Sequence, residues 1–543
     1  MKIAVSELIV RFLERLGIGD IFGMPGAHIL PVYDHLYDSK IRTILAKHEQ
    51  GAAFMACGYA RASGRVAACI ATAGPGATNL ITGIANAYVE KLPVLVITGE
   101  TSTYIFGKGG LQEGSGEGGA LDQMALFRSI TRYSKVVERT DYLGQVLKQA
   151  AKALLAPSPG PVLLSLPYNI QKELVDEALL DGIRFEPDAR PVCNRFAASA
   201  DMARMILTAK HPVVVAGHGC FLAGAQGLLQ TLSTDQNLPV ATTLKAKGLI
   251  AEESPLALGC LGVTSDGNAF AHIVRHADLV IFLGAGFNER TSSLWNTRLL
   301  DGKHVIQVDH DSNQLEKVFT ADLTICGDVG AVLRDVLAHI GDQRRPGPLP
   351  TPAGVPAEVP GHFALIAHLL DALVARFPGG AQVFDDNIIL AQTYLKASPA
   401  LRYFPNSGIS SLGHAIPAAL GARSIVDEPT FAILGDGGFQ MCCMELMTAV
   451  NYRIPLNVVM INNGTLGLIR KNQFQLYRER YIDCDFVNPD YQLLARSFGV
   501  SHWRLETVTD VDQLFANADL TGGINLIEVV WDKNVFPAYQ SER

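Results

Sequence analysis

Apolar runs of strand length alternate with helix-length periodic segments along almost the whole chain. No other feature limits the fold as tightly. VAACIATAG, LPVLVITGE, HPVVVAGHG, ADLVIFLGAG, KHVIQVDHD, TFAILGDGG and LNVVMINNG are such runs. Near-continuous Val, Ile and Leu describes strands covered on both faces, and so parallel sheets in α/β units. At 543 residues the chain is too long for one ordinary core, and about three domains are expected. Two polar or Pro-rich stretches divide it. One is EPDARPVCN, Glu186 to Asn194. The other, GDQRRPGPLPTPAGVPAEVPG, Gly341 to Gly361, reads as a surface linker. The expectation is three doubly wound parallel-sheet α/β domains, at 1–180, 190–340 and 362–543, with a linker at 341–361.

Composition narrows the functions. Hydrophobic residues make up 48% and charged residues 18%, which suits a globular protein with buried strands. The net charge is −8 and no basic run occurs, so nucleic acid is not an expected partner. The opening KIAVSELIVRFLERLG is amphipathic, with Glu and Arg where a secretory signal is apolar, and no signal peptide is expected. No apolar run reaches transmembrane length, and no membrane partner is expected. The nine cysteines are scattered, with Cys442 and Cys443 adjacent and no CxxC. That set reads as reduced thiols in the cytoplasm, not a disulfide framework or a zinc site.

The outer blocks echo each other. CIATAGPGATNLITGIANAYVEKLPVLVITGE and FAILGDGGFQMCCMELMTAVNYRIPLNVVMINN both read strand, Gly-rich turn, helix, Pro, strand. A shift of 362 places Gly76 on Gly438 and Pro93 on Pro455. Duplicated domains would produce this, and so would a generic α/β unit. In the second segment Gly435-Asp436-Gly437-Gly438 ends a strand and opens a helix. The glycines let backbone approach a ligand, and a helix N-terminus favours anions. Between Gly437 and Asn462 lie 24 residues, one helix plus one strand. Asp436 and Asn463 would then end neighbouring strands, where open α/β sheets place ligands. An Asp oxygen, an Asn oxygen and a backbone carbonyl suit Mg²⁺ shared with phosphates. An N-capping Asp in a Gly-rich turn is the plain alternative.

GDG followed one βα unit later by NN resembles the signature of thiamine diphosphate enzymes. IFGMPGAHILPVYDHL, KHEQGAAFMACGYARASG, TAGPGATNLITGIANA and LPVLVITGE resemble the pyrimidine-binding domain of the acetolactate synthase and benzaldehyde lyase group. NLPVATTLKAKGLI and HVIQVDHDSNQL resemble that group's central domain, and the third block its diphosphate domain. The resemblance implies thiamine diphosphate and Mg²⁺ as cofactors. It makes Glu49 the carboxylate that hydrogen-bonds N1′ of the aminopyrimidine and so favours the imino tautomer that deprotonates C2. Asp436 and Asn463 become metal ligands, and Thr465 gives its backbone carbonyl. Gly437 and Gly438 lie beside the diphosphate. Leu412 props the cofactor into its bent shape, and Gly413 joins the pyrimidine pocket. Asp386 and Asn387, at another strand end, reach toward the diphosphate. Gly467 and Leu468 join the cofactor contacts.

On the substrate side, His28 in PGAHILP resembles the lyase-like members. A His there could move protons on substrate hydroxyl and carbonyl, or simply bond a backbone carbonyl. Gln112 in LQEGSGEGG resembles the glutamine of a synthase FQE motif. Ile469 and Leu468 would shape an acyl pocket. Asn472 stands where acetolactate synthases usually carry tryptophan. Arg470 and Lys471 could attract an anionic substrate, though an exposed basic pair is the plainer expectation. His414 departs from the group and reads as structural. Gly284-Ala285-Gly286 resembles a segment that holds FAD, but Glu289 breaks the dinucleotide fingerprint, as Leu222 breaks the one at Gly217, and FAD is not expected. The resemblance implies a carboligase or lyase that forms or breaks an acyloin-type C–C bond through a cofactor-bound enamine, using 2-oxo acids or 2-hydroxy ketones. Two alternatives stand beside it: a non-ligating decarboxylase that releases an aldehyde, and a nucleotide-binding relic of the fold without activity. The family's site forms between subunits, so a dimer at least, and a tetramer by resemblance, is expected.

Overall fold

A computed structural model describes residues 1–187, 197–345 and 359–537. The dividing stretches at Glu186–Asn194 and Gly341–Gly361 lie mostly outside the described residues. Each of the seven apolar runs quoted above contains a strand, from Ala67–Ala71 and Val94–Glu100 to Thr430–Gly435 and Leu456–Asn462. The strands assemble into three six-stranded sheets in which every pairing is parallel. Crossover helices cover both faces, which is why the runs are apolar throughout rather than alternating. A short antiparallel pair, Lys2–Ala4 with Leu174–Asp176, ties the start of the chain to the end of the first unit.

The first sheet runs, edge to edge, Arg42–Leu45, Asp20–Gly23, Ala67–Ala71, Val94–Glu100, Val162–Pro167, Tyr133–Val136. The third runs Leu401–Pro405, Ala381–Asp385, Thr430–Gly435, Leu456–Asn462, Ile524–Val530, Ser501–Leu505. Numbered within each unit, both have the order 2-1-3-4-6-5, so the echo between the outer blocks extends to their topology. The middle sheet has the order 3-2-1-4-5-6, the order of dinucleotide-binding folds. At its switch point Gly217 and Gly284 press together: a Cβ on Gly217 would lie 2.2 Å from the Gly284 carbonyl oxygen. These glycines serve the approach of two turns to one another.

The outer units share one core. Helix Glu49–Ser63 crosses helix Ala415–Arg423, and a buried apolar cluster runs through both, from Phe22 and Tyr59 to Leu420 and Phe439. At the crossing a Cβ on Gly58 would lie 1.8 Å from the Ala418 carbonyl oxygen, and one on Gly421 would lie 1.9 Å from that of Met55. Gly58 and Gly421 are 363 positions apart, as are Met55 and Ala418. The contact is thus reciprocal, as a local two-fold between the related units requires.

One expected element differs. FQMCCMELMTAV, read as one helix, forms helix Asp436–Cys442, a 3₁₀ turn Cys443–Glu445 and helix Leu446–Tyr452. Glu445 leaves the turn to bind the other outer unit. Its Oε1 accepts the N–H groups of Lys47 (3.0 Å) and His48 (3.2 Å), and Oε2 accepts the Thr448 hydroxyl at 2.6 Å.

Candidate active site

Glu49 is the first residue of its helix. His48 caps that helix, its Nδ1 accepting from Gln50 N–H at 3.1 Å. Ala52, Ala53, Phe54 and Met55 are buried around it, and Glu49 itself is 8% exposed. Its Oε2 accepts from Asn79 Nδ2 at 2.9 Å. Its Oε1 faces Gly76, where a Cβ would come to 3.5 Å. Gly76 belongs to the turn and short helix Pro75–Asn79 that follow strand Ala67–Ala71. The residues leading into that helix bring in Thr72, whose side chain is 2.9 Å from the Cβ place of Gly76, and Gly74, whose Cβ place is 3.0 Å from Cβ of Gln112. Gln112 Oε1 lies 3.2 Å from His28 Nδ1 and 3.4 Å from the Thr72 hydroxyl. The His28 carbonyl is fixed by Gln171 Nε2 at 2.7 Å. Glu49, His28 and Gln112 therefore gather at one end of the first sheet. Asn79 and Thr72 join them; both lie in the segment TAGPGATNLITGIANA, which by itself singles out neither.

Asp436, Asn463 and Thr465 gather at the matching end of the third sheet. Asp436 is fully buried. Its Oδ2 accepts from Asn463 N–H (3.0 Å), Gly464 N–H (2.6 Å) and Asn488 Nδ2 (2.7 Å), and its Oδ1 from Gly437 N–H at 2.9 Å. Asn463 Oδ1 accepts from Thr465 N–H at 3.2 Å. Burial pushes the Asp436 carboxyl upward, and these donors, Asn488 first, hold it back. A buried carboxylate served only by N–H dipoles and an amide is short of positive charge. With Asn463 bonded beside it and Thr465 bonded to Asn463 in turn, the oxygens these residues carry suit a hard divalent cation. Asn488 was not legible in advance. It sits 52 residues beyond Asp436, and also donates to Asn462 Oδ1 at 2.8 Å.

The loop carrying Leu412 and Gly413 is held by Asp386. Its Oδ2 accepts from Gly413 N–H (2.6 Å), and its Oδ1 from Asn406 Nδ2 (2.8 Å) and His414 N–H (3.3 Å). Asp386 is thereby placed as a support for that loop. Burial pushes its carboxyl up to about 7, and that of Asp385 up to about 6. Asn387, at φ 64°, takes weak contacts from Arg290 of the middle unit at 3.5 Å. Leu412 is 36% exposed, so it is not core. His414 is fully buried, stacked edge-on against Phe54 at 5.1 Å, and driven down to about 4 by burial and then by Arg61.

The basic pair is corrected. Arg470 and Lys471 are buried, at 6% and 1% exposure, on helix Gly467–Leu476. Arg470 pairs with Asp485 at 2.7 Å, bonds Asn534 at 3.0 Å and lies 3.8 Å over the Tyr481 ring. Its reach is used within the unit. Burial brings the Lys471 ammonium down to about 8. Gly467 and Leu468 open this helix, and a Cβ on Gly467 would lie 3.2 Å from the Asn463 amide.

Three family models match in the expected order: the thiamine pyrophosphate enzyme N-terminal binding domain at 3–126, the central domain at 199–336 and the C-terminal binding domain at 387–529. The chain belongs to the thiamine pyrophosphate enzymes, in the acetolactate synthase group. Among its relatives is the acetolactate synthase isozyme 2 large subunit of Escherichia coli K12, 32% identical across 98% of this chain and 96% of that protein. A probable acetolactate synthase large subunit of Methanocaldococcus jannaschii is 31% identical across 97% and 92%. The acetolactate synthase large subunit of Corynebacterium glutamicum is 32% identical across 93% and 83%. This is a thiamine diphosphate-dependent enzyme.

Proposed function

We propose that the chain is a thiamine diphosphate- and Mg²⁺-dependent carboligase and lyase, making or breaking the C–C bond of an acyloin from 2-oxo acids or 2-hydroxy ketones. The observation that carries this reading is the Glu49 carboxylate, buried beside Asn79 and Gly76, with His28, Gln112 and Thr72 grouped next to it. Asp436, Asn463 and the Thr465 carbonyl would hold the metal, with Gly437 and Gly438 at the diphosphate. Leu412 and Gly413, braced by Asp386, would support the pyrimidine. When bound, the cofactor supplies the nucleophilic carbon and the electron sink. Glu49 would hold a proton toward a nitrogen of the cofactor's aminopyrimidine. Gln112 Oε1 takes the Nδ1 hydrogen of His28, leaving Nε2 to remove a proton from a substrate hydroxyl and return it to a carbonyl oxygen. Apolar Leu468 and Ile469 line the donor side, and a narrow apolar pocket separates substrates that differ by a methylene by only roughly 1–3 kcal/mol.

The site is assembled from two copies. Among the described residues no hydrogen bond joins the Glu49 set to the Asp436 set within one chain. The unit that carries the second set also exposes apolar side chains: Leu412, Met441, Met444, Ile469 and Phe474. Both observations support a dimer at least, and the resemblance a tetramer. The cysteines among the described residues are unpaired, which supports a place in the reducing cytoplasm. No described helix is long and apolar enough to cross a membrane. The limits 1–180, 190–340 and 362–543 are kept for the three domains, supported by the matched ranges.

The test is a cofactor-omission assay. The protein is stripped with EDTA and offered pyruvate, benzoin and an aldehyde panel with and without thiamine diphosphate and Mg²⁺. Acyloin formation or cleavage that needs both cofactors supports the reading. Aldehyde and CO₂ alone, with every donor and acceptor pair, would replace carboligation by simple decarboxylation.

A further inference from the structure

Gln112 adopts φ 56°, in the left-handed region that residues with a Cβ enter only when their surroundings impose it. Two carboxylates bind the backbone on either side of it. Glu113 Oε1 accepts the Gly107 N–H and the Ser115 hydroxyl, each at 2.6 Å, and its Oε2 accepts the Gly110 N–H at 2.8 Å. Glu100 ends strand Val94–Glu100, and its Oε1 accepts the N–H groups of Thr101 (2.8 Å) and Gly114 (2.9 Å). The backbone is thus pinned at Gly110, two residues before Gln112, and at Gly114, two residues after it. From the third side Gly74 backs onto the Gln112 Cβ. Both carboxylates are buried, Glu113 at 7% exposure and Glu100 at 1%. The Glu113 bonds all go to the loop, and Glu100 Oε1 ties the strand end to Gly114 in it. The loop is otherwise rich in glycines with positive φ, at 107, 109, 116, 118 and 119. Such a segment does not hold one conformation by itself.

We propose that Glu113 and Glu100 are positioning residues that act on the reaction through Gln112. Together they hold Gln112 in the conformation that presents Oε1 to His28 Nδ1, and so set which imidazole nitrogen faces the substrate. The proposal rests on the carboligase reading of His28.

A double-mutant cycle in the holoenzyme tests it. Glu113→Ala is expected to lower kcat about 10- to 100-fold, as for a lost charged hydrogen-bond clamp. KM for the donor, thiamine diphosphate affinity and melting temperature stay close to wild type. In a Gln112→Ala background the same change costs less than about twofold, because the group it positions is gone. Equal losses in both backgrounds, or a loss that follows thiamine diphosphate binding or melting temperature, overturn the proposal. Glu113→Gln keeps an acceptor oxygen and is expected to recover part of kcat; it replaces the alanine variant if that one does not fold. Crystal structures of wild type and variant give a readout free of activity. Gln112 leaving φ near 56° and parting from His28 supports the clamp, and an unmoved Gln112 overturns it. If His28→Ala keeps full activity, the reading of His28 fails, while the crystallographic comparison still decides whether the carboxylates hold Gln112.

Discussion

Glu49 and Asp436 are both buried carboxylates at a strand-to-helix turn, and their partners separate their roles. Glu49 keeps one oxygen facing a glycine, open to a ring that approaches it. Asp436 spends its oxygens on a ring of N–H donors that brings Asn463 beside it. Glu49→Gln should keep the fold and lower turnover by about 100-fold or more, the range for a lost acid–base group; kcat beside a thermal melt checks both halves. Asp436→Ala should abolish Mg²⁺-dependent cofactor binding, read by calorimetry. Asp386 gives a pH prediction. Its folded carboxyl titrates at about 7, against about 4 in an unfolded chain. The folded state therefore holds a proton that the unfolded state releases. That contribution is complete below about pH 4, shrinks as pH rises and is gone above about 7. Asp386→Asn keeps an acceptor for Gly413 N–H and removes the titration. Between pH 5 and 8, wild type should lose denaturant stability relative to the variant; parallel curves would contradict the assignment. Neighbouring Asp385, raised to about 6, adds a slope of the same sign. Motifs named Glu49, Asp436 and Asn463 in advance. They could not assign roles to Asn79, which sits inside the segment TAGPGATNLITGIANA, or to Asn488 and Glu445, because a polar residue acquires its meaning only from the distant group it meets.

At the scale of elements, the strands were legible because burial on both faces writes itself into contiguous Val, Ile and Leu. The Gly-rich turns were legible because backbone approach demands glycine. Helix crossings were not. Nothing near Gly58 in sequence says that it meets Ala418, and nothing near Gly421 points to Met55, since partners so far apart leave no local periodicity. The broken helix at Cys443–Glu445 escaped for the same reason: its cause, the N–H pair of Lys47 and His48, lies in the other outer unit. The buried basic pair escaped too, because Asp485 and Asn534 close over Arg470 from two separate loops. The crossing makes a sharp prediction. Gly58→Ala drives a methyl group onto a backbone carbonyl that cannot swing aside. It should destabilise by roughly 3 kcal/mol or more, and Gly421→Ala should do the same. Gly64, in the left-handed C-cap of the same helix with nothing near its Cβ place, serves as the control: Gly64→Ala should cost about 1 kcal/mol from backbone strain alone. Equal denaturant midpoints for Gly58→Ala and wild type would show that the two helices are not in backbone contact.

At the scale of the whole molecule, the proposed site splits into two halves, one on each of two outer units with the same strand order. The reciprocal contact at Gly58 and Gly421 uses up the two-fold between the outer units of one chain. On the proposed reading, the strand ends bearing Glu49 and Asp436 meet their complements in another copy. Mixing two inactive variants tests this. Glu49→Gln spoils every site's acid–base carboxylate, and Asp436→Ala every site's metal ligand. In a mixed dimer with sites between copies, one site receives both lesions and the other receives neither. If subunits exchange at random, half of the dimers are mixed and each has one intact site of two, so about a quarter of wild-type activity should return. A site built within one chain leaves one lesion in every site, and mixing would restore nothing. Recovery must also fall on dilution, as subunits part. Its midpoint should match the dissociation seen by sedimentation, since the contact that completes the site is the contact that makes the dimer.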